Sequence, residues 1–500
     1  MPIIKIHSKE KSTELEVAHG SNLMLELFKA QFEIYSPCGG NGTCGKCKAY
    51  IKDEGYVTSC LYKVEKDIEV SLPDPAESKI LISQYKYTRQ LPLNPGDSVQ
   101  LSSYPLGIAI DIGTTTMVFY LINLITGGLV ETKAAVNPQV KYGADVISRI
   151  NYCIQNEKGL NKIQQGTIRI INENITDFVE SEKVSLNEIV KITVSGNTTM
   201  LHLLLGEDPS SLAFVPFKPV FLDQKHLKAS SLGLQANPDA EVIILPSISA
   251  YIGADIVGGL ASLQIRKNIK NYLYIDIGTN GEMALVNGEK IYACATAAGP
   301  AFEGANISCG MPAMEGAINI YRNNKFSTIG DIPPRGICGS GLIDLSAYLL
   351  NKDLLKDDGQ LSEEYIIYDG KEESGGKKIS ITQNDIRELQ LAKSAISSGI
   401  TILCKLASIN FNQIDALYLA GGFGNYIDID SAVTIGLMPH ALKSKVIPIG
   451  NASGTGAMLA LKSESYYDIL QSLIKKTEHI ELSEHEDFAI EFAMNMGFGQ

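Results

Sequence analysis

The sequence contains no uncharged apolar run of 18 residues, and its start, MPIIKIHSKEKSTELEV, alternates apolar and polar residues. The first absence argues against a membrane-spanning helix and the second against a secretory signal, so a cytoplasmic protein with no membrane partner is expected. Basic charge is also in short supply. Lys and Arg number 43 against 56 Asp and Glu, and the formal charge of -13 opposes binding to nucleic acid or anionic lipid by repulsion. No GxxxxGK[ST] string occurs, which removes the P-loop solution to nucleotide binding. The GxGxxG fingerprint is missing from the strand ends, which argues against a nicotinamide site. With 45% apolar and 20% charged residues, the 500-residue chain is that of a folded protein, too long for one hydrophobic core.

Cysteine is unevenly spread. Four of the nine fall between positions 38 and 60; Cys153, Cys294, Cys309, Cys338 and Cys404 show no ligand spacing and are expected as small buried apolar residues or as helix and loop thiols. Cys38, Cys44, Cys47 and Cys60 give C-x5-C-x2-C-x12-C, with small residues in nearly every gap of the first loop. Two iron atoms need four thiolates, and glycines let backbone N–H groups approach the sulfides. Zinc is the competing metal, but zinc sites usually pair two C-x2-C turns and only one is present. These four cysteines are therefore the expected ligands of a [2Fe-2S] cluster.

The flanking pattern predicts strands at Ile3–His7 and Leu15–Val17 and a helix from about Ser21 to Gln31. Residues 1–74 read as one small domain and 75–105, with prolines at 92, 95 and 105, as a connector on which that domain can swing. From Leu106 apolar strands alternate with amphipathic helices. GIAIDIGTTTMVFYLIN at 107–123 is echoed by YLYIDIGTNGEMALVNG at 272–288, and GADVISRI at 143–150 by GADIVGGL at 253–260. Two α/β lobes are expected, about 106–266 and 267–500, facing one another across a cleft.

Each DIGT string places an aspartate at a strand end, followed by a turn rich in N–H and O–H donors. Asp111 and Asp276 are expected to position Mg²⁺ and water, with Glu282 as a further catalytic carboxylate. Gly113, Thr114, Thr115 and Thr116 in one lobe, and Gly278, Thr279, Asn280 and Gly281 in the other, are expected to hold phosphates. One such turn is unspecific; two, 165 residues apart and each after an apolar strand, are not. Gly421, Gly422, Phe423 and Gly424 form a third strand-turn where an adenosine can lie against backbone. Cys338-Gly-Ser-Gly341 is a weaker candidate of that kind, with Asp344 read as helix surface.

The cysteine loop resembles the [2Fe-2S] ferredoxins of β-grasp fold, in its adrenodoxin-like spacing. The DIGT, DIGT and AGGFG strings resemble the superfamily of acetate and sugar kinases, heat-shock chaperones and actin. Together, with GNTTM at 196–200 and the closing FAMNMGF, they resemble the reductive activators of corrinoid-dependent enzymes. The fold class that follows is α/β and α+β multidomain: a β-grasp ferredoxin-like domain, then a two-lobed actin-like (ribonuclease H-like) ATPase domain. The resemblance implies one-electron transfer from the cluster, driven by ATP with Mg²⁺, reducing Co(II) to Co(I) in a corrinoid protein of a methyltransferase system. It also implies a homodimer. The corrinoid is expected on the partner, because the DxHxxG string of cobalamin-binding folds is missing. Longer members interpose a middle domain between cluster and ATPase, whereas only about thirty residues of connector are read here. Two other readings stay open: an activator like those of 2-hydroxyacyl-CoA dehydratases, and a small-molecule kinase using Asp145, Asp255 or Glu282 as base.

Overall fold

The computed structural model describes residues 1–7, 12–30, 32, 48–52, 54–71, 87–143, 145–278, 280–304, 306–370, 378–424 and 426–499. Cys38, Cys44, Cys47, Thr279, the first part of the connector and 371–377 lie outside the described residues.

The N-terminal unit has strands β1 (Ile3–His7), β2 (Ser12–Glu16), β3 (Lys48–Ile51), β4 (Gly55–Thr58) and β5 (Ile68–Ser71), and helix α1 (Leu23–Lys29). They form one mixed sheet in the order β2-β1-β5-β3-β4, with β1 parallel to β5. Period-two alternation sets its face: Ile4 and Ile6 are buried while Ile3, Lys5 and His7 point outward. The buried set meets Leu23 and Leu27 of α1 in a small core that also takes in Cys60.

Two six-stranded sheets follow. The first comprises β6 (Leu106–Ile112), β7 (Thr116–Asn123), β8 (Leu129–Val136), β9 (Ile189–Gly196), β10 (Lys225–Lys228) and β11 (Glu241–Ile244), in the order β8-β7-β6-β9-β11-β10. The second comprises β12 (Asn271–Ile277), β13 (Gly281–Asn287), β14 (Lys290–Thr296), β15 (Ala416–Ala420), β16 (Val446–Gly450) and β17 (Thr477–His479), in the order β16-β15-β12-β13-β14-β17. In each, the DIGT strand forms a hairpin with its successor and runs parallel to a later strand.

The GAD echo is not part of that repeat. Both copies follow strands of the first sheet, GADV opening the helix Val146–Gln155 and GADI opening α2 (Ala254–Ala261). What they share is a local need: a small residue at the turn and an acid near a helix start, where the unpaired N–H groups favour negative charge. Asp145 serves as an N-cap, its side chain accepting from Ser148 N at 2.8 Å.

The longer helices include α3 (Gly339–Asn351), α4 (Gln383–Leu406) and α5 (Ala452–Lys462). Leu273, Ile275, Leu417 and Leu419 of the second sheet pack toward α3 and α4, while Tyr274, Ala284, Tyr418 and Ala420 turn to the core shared with the first sheet. The other face of the first sheet, through Ala109, Ile122 and Val190, is covered by Ala457 and Leu461 of α5. Thus α5 leaves the second sheet and lies on the first, its Ala457 O accepting from Thr193 Oγ1 at 2.8 Å.

Residues 87–105, expected within a swinging connector, are instead bound to this body; Arg89 N donates to Ser262 O at 2.7 Å and Asn94 N to Lys462 O at 2.9 Å. The backbone groups of an extended segment need partners, and here the ends of two helices supply them. Asp344, read as helix surface, is 4% exposed and accepts from Tyr321 N at 3.2 Å. Gly341 is a packing glycine, since a Cβ there would collide with Ile318 O.

The closing FAMNMGF acquires a mechanical account. Asn495 lies between Ser397 and Ser398 of α4, accepting from one hydroxyl at 3.0 Å and donating to the other at 3.3 Å, while Gln390 Nε2 donates to Met496 O at 2.7 Å. Lys393 Nζ donates to Gly497 O, and burial lowers its pKa to about 8. Removing residues 495–500 leaves these four polar side chains of α4 without those partners. Gln390 keeps its bond to Asp358 O; at about 1 to 3 kcal/mol for each of the other three, the deletion should lower stability by about 3 kcal/mol or more, read as an earlier thermal midpoint.

Among the described residues, no helix is long and apolar enough to cross a membrane.

Candidate functional site

At the junction of the two sheets, the cleft between the lobes, Asp276 of one DIGT strand feels the charge of Asp111 of the other. The carbonyls of the first DIGT turn face back into protein: Asn137 Nδ2 donates to Gly113 O at 2.7 Å, Arg149 Nη2 to Thr114 O at 2.6 Å and Asn137 N to Thr115 O at 2.9 Å. A trans peptide sets N–H opposite C=O, so the N–H groups of Thr114 and Thr115 face the other way, away from Asn137 and Arg149. Arg149 is fully buried and also donates to Gly143 O at 2.9 Å; burial lowers its pKa to about 10. It acts as a brace behind the loop. The second turn, between β12 and β13, is closed by Gly278 N donating to Asn280 O at 3.0 Å.

Four carboxylates gather on the cleft floor. Asp111 ends β6 and accepts from Ser453 Oγ at 2.6 Å and Asn451 Nδ2 at 2.8 Å, both at the start of α5. Asp276, next to last in β12, is directly opposite Glu282 on β13, and Asp255 sits in the first turn of α2. Burial raises all four pKa values, and mutual repulsion adds to it: Asp276 reaches about 7 with Asp111 as neighbour, and Asp255 about 7 with Asp276 as neighbour. Glu282, 8% exposed, is pushed well above the carboxylate range by burial and then by Asp255 and Asp276, opposed by its bond from Asn197 Nδ2 at 3.0 Å. No basic side chain hydrogen-bonds any of the four among the described contacts.

Asn197 answers what GNTTM does. Its Oδ1 caps the helix Thr198–Leu205 through Thr199 N at 3.0 Å, while its amide reaches across the cleft to Glu282. A second link between the halves runs from Thr115 Oγ1 to Glu303 Oε2 at 3.3 Å.

The third motif divides. Gly421, at φ 85° directly after β15, abuts Asp276, whose Oδ1 a Cβ would meet; Gly424 instead packs on Leu419, where a Cβ would lie 2.8 Å from Cγ. Gly422 and Phe423 belong to the same helical turn. Asp145 is spent on its helix cap and does not join the carboxylates, whereas Asp255 and Glu282 do.

Asn137, Arg149, Glu303, Asn451 and Ser453 were not anticipated from sequence. Asn451 and Ser453 follow a glycine-ended strand, IPIG, which is the only trace of them in the chain. Among the described residues, no three His, Cys, Asp or Glu side chains are placed to hold one metal ion by themselves. A surface depression of about 730 Å³ between Gln164–Asp177 and Ser231–Gln235 contains none of the residues discussed above. A cleft with carboxylates and N–H edges, bridged by side chains, is better suited to chemistry than that open groove.

Comparison with known proteins bears on this arrangement. Residues 270–500 match the family model described as the C-terminal domain of RACo, the ASKHA domain, and 106–268 that described as the RACo middle region. The chain therefore has the middle region that the short connector had suggested was missing. It is 36% identical to a corrinoid activation enzyme, RamQ, of Eubacterium limosum, over 79% of this chain and 70% of that one. It is 26% identical to a [Co(II) methylated amine-specific corrinoid protein] reductase of Methanosarcina barkeri, over 76% and 75% respectively. A solved reductive activator for corrinoid, iron-sulfur protein is similar at 30% identity and TM-score 0.73, covering 100% of this chain and 98% of that one.

Proposed function

Because this chain belongs to the family of reductive activators of corrinoid proteins, we propose that it hydrolyses ATP in the cleft to drive one electron from an N-terminal [2Fe-2S] cluster to a Co(II) corrinoid held by a partner protein, giving Co(I). The observation that carries the reading is the floor of the cleft: Asp111, Asp255, Asp276 and Glu282 repel one another beside two donor loops. Such a floor suits a divalent cation with phosphates. Mg²⁺ typically uses one or two carboxylates and completes its shell with water and phosphate oxygens. Asp111 and Asp276 take the roles of Mg²⁺ and water positioning, Gly113–Thr116 and 278–281 hold phosphates, and Gly421–Gly424 faces the adenosine.

For the cluster, the donor chemistry is four thiols, and the described part of the domain suits it. Lys48 and Thr58 are register partners in the β3–β4 hairpin; Cys47 precedes Lys48 and Cys60 lies two residues past Thr58, so a cysteine flanks each arm. Cys60 is 6% exposed, and its carbonyl accepts from Asn22 Nδ2 at 2.7 Å. The cluster, when bound, supplies a single electron. Residues 1–74 would form its domain and 106–500, the middle region and the ASKHA domain together, the ATPase, with 87–105 of the connector fastened to the latter and the whole pairing as a homodimer.

ATP is needed where the electron must move uphill. Each 100 mV corresponds to about 2.3 kcal/mol per electron, within reach of nucleotide-driven closure of two lobes. The test follows the electron optically: the chemically reduced protein is mixed with a Co(II) corrinoid protein with and without Mg-ATP. Co(I) absorbance should appear only with ATP. A phosphorylated small molecule in place of Co(I) would move the assignment to a kinase.

A further inference from the structure

The two helices that start at the carboxylates end at the connector. α2 begins beside Asp255 and ends at Ala261, and α5 begins just after Asn451, which holds Asp111, and ends at Lys462. They cross where Gly258 meets Gly456, so closely that a Cβ on Gly456 would lie 2.5 Å from the Gly258 carbonyl carbon. Each helix links the halves in the opposite sense. α2 follows the first sheet and its Gly259 abuts Tyr274 of β12; α5 follows the second sheet and lies on β6 and β9.

Across the far ends of both runs the segment 87–95. On the α2 side Gln264 N donates to Tyr87 O at 2.6 Å, Arg89 N to Ser262 O at 2.7 Å and Arg89 Nε to Ala261 O at 3.0 Å. On the α5 side, five residues later, Asn94 N donates to Lys462 O at 2.9 Å and Glu464 N to Asn94 O at 2.9 Å. Lys191, 1% exposed, clamps the next residue by donating to Pro95 O at 2.8 Å. Tyr87 packs edge-on against Tyr418 at 5.7 Å, with the Arg266 guanidinium 5.4 Å from its ring centre.

We infer that residues 87–95 are a strap that reads the angle between α2 and α5 and passes it along the chain toward the N-terminal domain. The inference rests on the nucleotide reading of the cleft. A rotation of about 10° at the crossing displaces a helix end about 8 Å away by about 1.4 Å, given the rise of 1.5 Å per residue. That takes a 2.9 Å hydrogen bond outside bonding range. The strap is anchored to both ends with only four residues between Arg89 and Asn94, so it changes anchorage when the angle changes.

Amide hydrogen exchange at Arg89 and Asn94 tests this in the full chain, with nucleotide binding followed separately by calorimetry. Binding of a non-hydrolysable ATP analogue with Mg²⁺ should change exchange at one or both amides at least tenfold. Binding with unchanged exchange overturns the strap alone; no binding overturns the nucleotide reading and the strap with it. Arg89→Ala should keep the cluster absorbance and ATP hydrolysis within twofold yet lose the stimulation of electron transfer by ATP, which Arg89→Lys should partly restore. Retained stimulation in Arg89→Ala, with that hydrolysis intact, also rejects the strap.

Discussion

Alanine at Asp111 should lower the proposed ATP hydrolysis about 1000-fold while leaving the visible absorbance of the proposed iron–sulfur cluster unchanged. The magnitude is that of removing one preorganised electrostatic group from a reaction whose barrier is set by charge on phosphate oxygens. Preorganisation is visible in the geometry. Ser453 Oγ and Asn451 Nδ2 hold the carboxylate from the start of α5, and Ser453 is itself 3.0 Å from Ser195 Oγ on β9, the register partner strand of Asp111. A carboxylate fixed on both oxygens presents its remaining lone pairs in one direction. The alanine variant takes their acceptor from Ser453 Oγ and Asn451 Nδ2, so Asp111→Asn is the companion: it keeps the shape, removes the charge and should be as inactive. Phosphate release measured beside the absorbance spectrum decides the matter. Loss of hydrolysis and cluster together in both variants would make Asp111 a folding residue.

The strands of this site were legible because both DIGT segments combine an apolar strand with an acid at its end, a pattern imposed locally by burial and by the turn. The hairpins at 107–123 and 272–288 follow from it. The partners of Asp111 were not legible, since Asn451 and Ser453 lie about 340 residues away and their role depends on α5 crossing from one sheet to the other. Arg149 was hidden for a similar reason: an arginine in an amphipathic helix reads as surface, and only the tertiary fold shows its guanidinium spent on backbone carbonyls. The prolines of the connector misled. Proline lacks an N–H, but Arg89 and Asn94 carry the donors that matter, and their acceptors are helix-end carbonyls that no local pattern announces.

Asp276→Asn should stabilise the nucleotide-free protein at pH 8 by about 2 to 4 kcal/mol while abolishing hydrolysis. Burial and the Asp111 charge raise the Asp276 pKa from 3.8 to about 7. A carboxyl group whose folded pKa lies above its unfolded value binds protons more tightly in the folded state. Its favourable contribution is complete below about pH 4 and is lost as pH rises through about 7. At about 1.4 kcal/mol per pKa unit, ionising this one group at pH 8 opposes folding by up to about 4 kcal/mol, less where cleft water screens it. Asparagine carries no charge at either pH, so the gain should be smaller at pH 5 and shrink toward zero as pH falls to about 4. Asp255 is raised to about 7 by burial and by Asp276 itself, so the substitution relieves a second group as well. Mg-ATP should stabilise the wild type strongly, by mass action on the folded form, and the variant far less. Denaturation midpoints at pH 5 and pH 8, with and without Mg-ATP, separate these terms. A wild type that gains stability between pH 5 and pH 8 without nucleotide, with no advantage for Asp276→Asn, would show that the floor of the cleft is not held against its own charge.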